Sequence, residues 1–158
     1  MLFLFKSFFM CALFTGKNFI ELDEVASTNS FLIQLAGEIK LADGTAVVAK
    51  YQSAGRGQRG NTWIAKKDQN LTFSIIYFPT NKNLNKQFLL TQAISLGLYD
   101  YLSSKCKNVT IKWPNDLYIN NKKIGGILIE NSIKADMLAH TIIGIGLNIN
   151  QQIFEEHS

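Results

Sequence analysis

The second half of this sequence leaves little choice of fold. Between residues 108 and 150 the segments "NVTIKW", "DLYIN", "KIGGILIEN" and "MLAHTIIGIGLNIN" follow one another with only short stretches between them. Their β-branched and aromatic residues mark strands. Links this short cannot carry the crossover that parallel neighbours need, so consecutive strands pair as hairpins. Asn120-Asn121, two residues that tolerate left-handed backbone, suits the turn between "DLYIN" and "KIGGILIEN". Upstream, "NFIELDEV" (18–25), "GTAVVAKY" (44–51) and "LTFSIIYF" (71–78, ending at Pro79) read as further strands. A helix is expected in "STNSFLIQLAGEI", capped by Ser27 or Thr28, with Phe31, Leu32, Leu35 and Ile39 on its apolar face. A second is expected from Leu84 to about Ser104, where Phe88, Leu89, Gln92, Leu96 and Tyr99 recur at helical spacing. The sum is an α+β fold: a mixed, largely antiparallel sheet with flanking helices.

The chain has 158 residues, 47% of them apolar and 11% aromatic, enough for the core of one domain. A net charge of +4 mildly favours anionic ligands, but no long Lys/Arg run or basic helix marks a nucleic-acid face. Cys11 and Cys106 lie far apart and match no zinc or redox spacing, so both read as buried apolar side chains in a reducing compartment. Residues 1–17 are apolar around Lys6, with a second start available at Met10. They read as a leader of uncertain status. The stretch is too short and interrupted to span a bilayer and lacks a clear small-x-small cleavage site.

Five stretches bring together small residues, cations and amides. "AKYQSAGRGQRGNTW" (49–63) opens a strand into three glycines and two arginines before closing on Trp63. Glycine permits close approach to a ligand, and arginine offers a planar fork of donors suited to phosphate or carboxylate. The spacing is not that of a Walker loop. "STN" (27–29) brings two hydroxyls and an amide to a helix N-terminus, where unpaired N–H groups point outward, although capping alone accounts for such residues. In "TIKWPND" (110–116), Pro114 stiffens a turn carrying Lys112, Trp113, Asn115 and Asp116. "NKKIGG" sets Lys123 just before Gly125-Gly126, and "GIGLNIN" alternates Gly144, Gly146 and Asn148 onto one strand face. Strand glycines weaken a sheet unless something must approach the backbone. Together the five stretches point to one ligand cleft.

"STN", "GRGQRG", "KWPND", the lysine of "KKIGG" and "GIGLNIN", in this order, closely resemble the catalytic domain of biotin-protein ligases over roughly residues 18–150. The resemblance implies a class II aminoacyl-tRNA synthetase/biotin ligase-like fold and a carbon–nitrogen bond-forming ligase. Biotin and MgATP would give biotinyl-5'-AMP and pyrophosphate, and a lysine of a biotin carboxyl carrier protein, of acetyl-CoA carboxylase or another biotin-dependent enzyme, would then take the biotinyl group. It further implies that Ser27, Thr28, Asn29, Gln52, Gly55, Arg56, Gly57, Gln58, Lys123, Gly125 and Gly126 bind biotin. Arg59, Trp63, Lys112, Asn115, Asp116 and Asn148 would take the nucleotide. Lys112, Lys123 and Arg56 would be the catalytic cations, because joining a carboxylate to a triphosphate needs charges that cancel repulsion. The glycine-arginine loop would be a lid, mobile when empty for want of anchoring contacts. Cytoplasmic location is implied, membrane and nucleic-acid partners are not, and a homodimer is left open, as is the metal ligand set for Mg2+.

Two departures stand out. Gln58 lies where many members carry arginine, which shifts anion retention onto Arg56 and Arg59. The chain also ends soon after "GIGLNIN", so residues 18–158 read as a catalytic domain lacking its C-terminal part, with no DNA-binding domain ahead of it. Alternatives are a non-catalytic fragment that binds biotin or its adenylate, and a related lipoate ligase.

Overall fold

The computed structural model describes residues 18–80 and 87–152. Seven strands, β1 (Phe19–Leu22), β2 (Ala46–Ala49), β3 (Asn70–Tyr77), β4 (Val109–Lys112), β5 (Asp116–Ile119), β6 (Lys122–Lys134) and β7 (Met137–Asn148), are joined by helices α1 (Thr28–Glu38) and α2 (Gln87–Ser103). They form one sheet in the order β1-β2-β3-β7-β6-β5-β4. Only β1 and β2 run parallel, with α1 as their crossover. The other neighbours are antiparallel, as the hairpin spacing requires.

Alternation along the strands sends side chains to two cores. Val47, Ile76 and Ile142 meet Leu32 of α1 on one face. Ala46, Val48, Phe73, Leu117, Ile127, Ile143, Ile145 and Leu147 meet Leu98 and Leu102 of α2 on the other. Ser27 caps α1, its Oγ accepting from the Ser30 N–H at 3.4 Å. The β5–β6 turn has Asn120 and Asn121 at φ 48° and 65°, the left-handed pair expected. The β6–β7 turn uses Ala135 and Asp136 at φ 50° and 57°, which nothing in the sequence announced.

Several expectations are corrected. Ile39 is the exposed C-cap of α1 in extended backbone, not part of its apolar face. Phe88, Leu89 and Leu96 are exposed, and α2 buries Ser95, Leu98 and Leu102 instead. Apolar residues surround this helix, so their spacing could not choose a face. The first strand stops at Leu22, with Val25 making a separate parallel bridge to Gln52. Cys106 is half-buried against the α2 core. The leader, Cys11 and the expected helical start at 84–86 lie outside the described residues. No described helix is long and apolar enough to cross a membrane.

Candidate active site

Beyond the part of the sheet that α1 covers, the same face becomes almost bare. The register sets Gly126 opposite Gly146, Leu128 opposite Gly144, and Gly144 opposite Ser74. A cavity of about 320 Å3 opens over this floor.

One wall is the N-terminal turn of α1, where Ser27, Thr28 and Asn29 are each 3% exposed, so their polar groups need partners. Gln52 Oε1 accepts from Thr28 N at 2.7 Å and Thr28 Oγ1 at 3.0 Å. Ser74 Oγ lies 2.7 Å from Thr28 Oγ1 and donates to Asn29 Oδ1 at 2.5 Å. Asn29 Nδ2 donates to Glu130 Oε2 at 2.8 Å. The Gly144 Cα lies directly beneath, where a methyl group would overlap the Asn29 amide.

The glycine-arginine stretch forms the second wall as a small hairpin. Arg56 bridges Thr62, Trp63 N–H donates to Gly55 O at 2.9 Å, and Gly57 N–H donates to Asn61 O at 2.7 Å. Its tip is a 3-10 turn, Gln58–Gly60, where Gly60 takes φ 83°. Arg56 Nη2 meets Glu130 Oε1 at 2.6 Å and its Nη1 donates to Ser30 Oγ at 3.1 Å. The loop thus carries one ion pair and one hydrogen bond to neighbouring elements through a half-exposed arginine, and, as the sequence suggests, no large apolar side chain of residues 53–61 anchors it. Trp63 follows, its indole lying on the floor where side chains at Gly126 or Gly146 would collide with it. The strand glycines were read as sites of close approach, and Trp63 is what approaches.

The "KWPND" turn forms the third wall. Ser95 of α2 donates to Pro114 O at 2.8 Å, and Asn115 Nδ2 donates to Ile127 O at 3.1 Å. Asp116 pairs with Lys123 at 2.9 Å, and Lys123 Nζ also sits 5.9 Å from the centre of the Trp63 ring. Among the described residues, two buried side-chain polar atoms have no partner: Trp63 Nε1, a donor, and Asn148 Oδ1, an acceptor. Asn148 and Gly146 share a face of β7.

The cavity thus gathers Ser27, Thr28, Asn29, Gln52, Arg56, Gly57, Gln58, Arg59, Trp63, Asn115, Asp116, Lys123 and Gly126 from separate parts of the chain. It does not gather all the residues picked out in the sequence. Gly55 lies behind the wall, where a side chain would strike Trp63 O. Gly125 turns to the opposite core, against Leu147. Lys112 does not line the cavity; its Nζ lies 5.9 Å from the Tyr118 ring centre. Asn148 stands outside the lining and donates Nδ2 to Lys123 O at 3.1 Å. Sequence reasoning missed Ser74 and Glu130, whose roles depend on sheet register, while Trp113, singled out with the Pro114 turn but given no role, lines the cavity.

Comparison with known proteins agrees with this geometry. Residues 22–148 match the model of the biotin/lipoate A/B protein ligase family. The chain is 34% identical over 142 residues to the bifunctional ligase/repressor BirA of Escherichia coli, covering 89% of this chain and 43% of that protein. It is 35% identical over 126 residues to the biotin--[acetyl-CoA-carboxylase] ligase of Paracoccus denitrificans, covering 78% and 51%. The structure of biotin protein ligase from Aquifex aeolicus, in complex with biotin and ATP, superposes with a TM-score of 0.71 at 35% identity, covering 89% of this chain and 56% of that one. The chain thus spans about half the length of these relatives, and its fold is the class II synthetase-like fold of biotin protein ligase.

Proposed function

Because the chain belongs to the biotin/lipoate A/B protein ligase family, we propose that it activates biotin with ATP to biotinyl-5'-AMP and passes the biotinyl group to a lysine of a biotin carboxyl carrier protein. The observation that carries this reading is the make-up of the cavity lining, which combines the neutral hydrogen-bonding groups of Ser27, Thr28, Asn29 and Gln52 with the cations Arg56, Arg59 and Lys123. Biotin calls for both: an uncharged ureido ring to be hydrogen-bonded and a carboxylate to be met by cations.

The ureido ring lies against the α1 wall, in reach of hydroxyl and amide groups that can both donate and accept. The carboxylate then faces Arg56 and Lys123. As the nucleotide binds, Lys123 exchanges Asp116 for the biotin carboxylate and α-phosphate, where it stabilises charge that grows in the transition state. Adenine is placed beside Trp63 and Asn148. Its ring nitrogens accept and its exocyclic amine donates, which would satisfy Nε1 and Oδ1. Lys112 shares a sheet face with Asp116 and Gly126 through the β4–β5–β6 register, so rotation off Tyr118 carries its ammonium towards the phosphates.

No protein nucleophile is needed, since the adenylate is a mixed anhydride that the acceptor amine attacks directly. Mg2+ fits as a companion of the triphosphate. Among the described residues, Asp116 is the only carboxylate that lines the cavity, and there is no cluster of three or more His, Cys, Asp or Glu. Use of ATP and a carrier protein fits a cytoplasmic enzyme. Calorimetry with biotin and with lipoate, followed by transfer of labelled biotin to a carrier domain, tests the proposal. Binding and transfer of biotin are expected, and a folded chain that ignores biotin or prefers lipoate overturns it.

A further inference from the structure

The mechanism above gives Arg56 to the ligand, but in the structure it is already held. Glu130 lies on β6 on the cavity face, four residues beyond Gly126 and opposite Ile142. Each of its carboxylate oxygens takes one wall: Oε1 meets Arg56 Nη2 at 2.6 Å, and Oε2 accepts from Asn29 Nδ2 at 2.8 Å. Ser30 Oγ accepts from Arg56 Nη1 at 3.1 Å. We propose that Glu130 is a positioning residue, whose carboxylate fixes Arg56 over the cavity mouth before an anion arrives and ties the glycine-arginine hairpin to the α1 wall.

A guanidinium has five N–H donors, and Glu130 and Ser30 occupy only two directions, so Arg56 can serve a carboxylate or phosphate without leaving Glu130. The N-terminal turn of α1 favours a negative charge nearby, which suits the place Glu130 occupies. The Arg56 and Glu130 side chains are 47% and 23% exposed, so the pair adds little to global stability. What it contributes is local: without it the arginine side of the hairpin keeps only the hairpin's internal hydrogen bonds and the Ser30 contact, while Trp63 still rests on the sheet at the other side. An arginine fixed in advance loses less conformational freedom when the ligand binds.

The inference rests on the reading that Arg56 faces the anion of a biotinyl adenylate, so its test has one arm that needs no ligand. In the ligand-free chain, Glu130→Gln should speed amide exchange at residues 55–63 by on the order of tenfold, leaving β3 and β7 unchanged. In the second arm, Glu130→Gln should speed dissociation of biotinyl-5'-AMP, and adding it to Arg56→Gly should cause no further increase, since both remove the same coupled unit. Should Glu130→Gln also loosen β3 and β7, Arg56→Gln, which leaves the Glu130–Asn29 contact in place, replaces it in the first arm with the same expected change. Unchanged exchange at 55–63, or effects on dissociation that simply multiply, would overturn the inference. A wild-type chain that binds no adenylate would instead refute the proposed function, while the exchange arm still reads the Glu130 contact.

Discussion

Single residues decide how much room the site has. The indole of Trp63 rests where a side chain on Gly146 or Gly126 would collide with it. Gly146→Ala should therefore lift Trp63 from its bed, lowering stability by about 1–3 kcal/mol, as overpacking does, and weakening ATP binding. Urea denaturation and nucleotide titration check the two effects. Lys123→Ala should slow adenylate formation by on the order of a hundredfold while leaving biotin affinity less affected, as loss of a preorganised charge does; single-turnover adenylation is the measurement. Away from the site, burial beside Phe78 holds the His140 imidazole below its ordinary pKa of 6.5. Its neutral form is favoured in the folded chain, so this contribution is present above pH 6.5 and is lost as pH falls through the lower folded-state value. The urea midpoint should drop between pH 7.5 and 5.5 by more in the wild type than in His140→Gln. The sequence displayed Arg56, Lys123 and the glycines by spacing, but not Glu130 or Ser74. Those two matter only because sheet register sets them beside Asn29, 101 and 45 residues away.

At the scale of elements, the turns carry the next tests. Asn120-Asn121 adopts the left-handed pair that its sequence suggests, whereas Ala135 does so at φ 50° with no side chain suited to it. An L-residue there costs on the order of 1–2 kcal/mol, which asparagine reduces by local hydrogen bonding. Ala135→Asn should accordingly raise the urea midpoint without changing ligand binding. The "KWPND" turn depends on α2: Ser95→Ala leaves Pro114 O without its donor and should cost about 1–3 kcal/mol, with faster exchange at residues 113–116. The face of α2 was not legible in the sequence, since apolar residues occur all round it and only the sheet beneath selects Leu98 and Leu102. Strands were legible because period-two alternation and short connections leave few pairings.

For the whole molecule, the order of the motifs along the chain foretold one cleft, and the sheet explains why. Hairpin pairing brings β6 and β7 side by side as the floor, and the α1 turn, the β2–β3 connection and the β4–β5 turn deliver the three walls to the same face. What the sequence could not disclose is which charges are already paired without ligand: Arg56 with Glu130, and Lys123 with Asp116. Both pairs hold a cation in the cavity lining, where an arriving anion can meet it. In the function proposed, this cavity joins biotin to AMP. Exchange of labelled pyrophosphate into ATP by the folded chain, measured with biotin and in parallel with lipoate, reads that step alone. Exchange should require biotin and not be supported by lipoate; no exchange with biotin, or equal exchange with lipoate, would refute the proposed function.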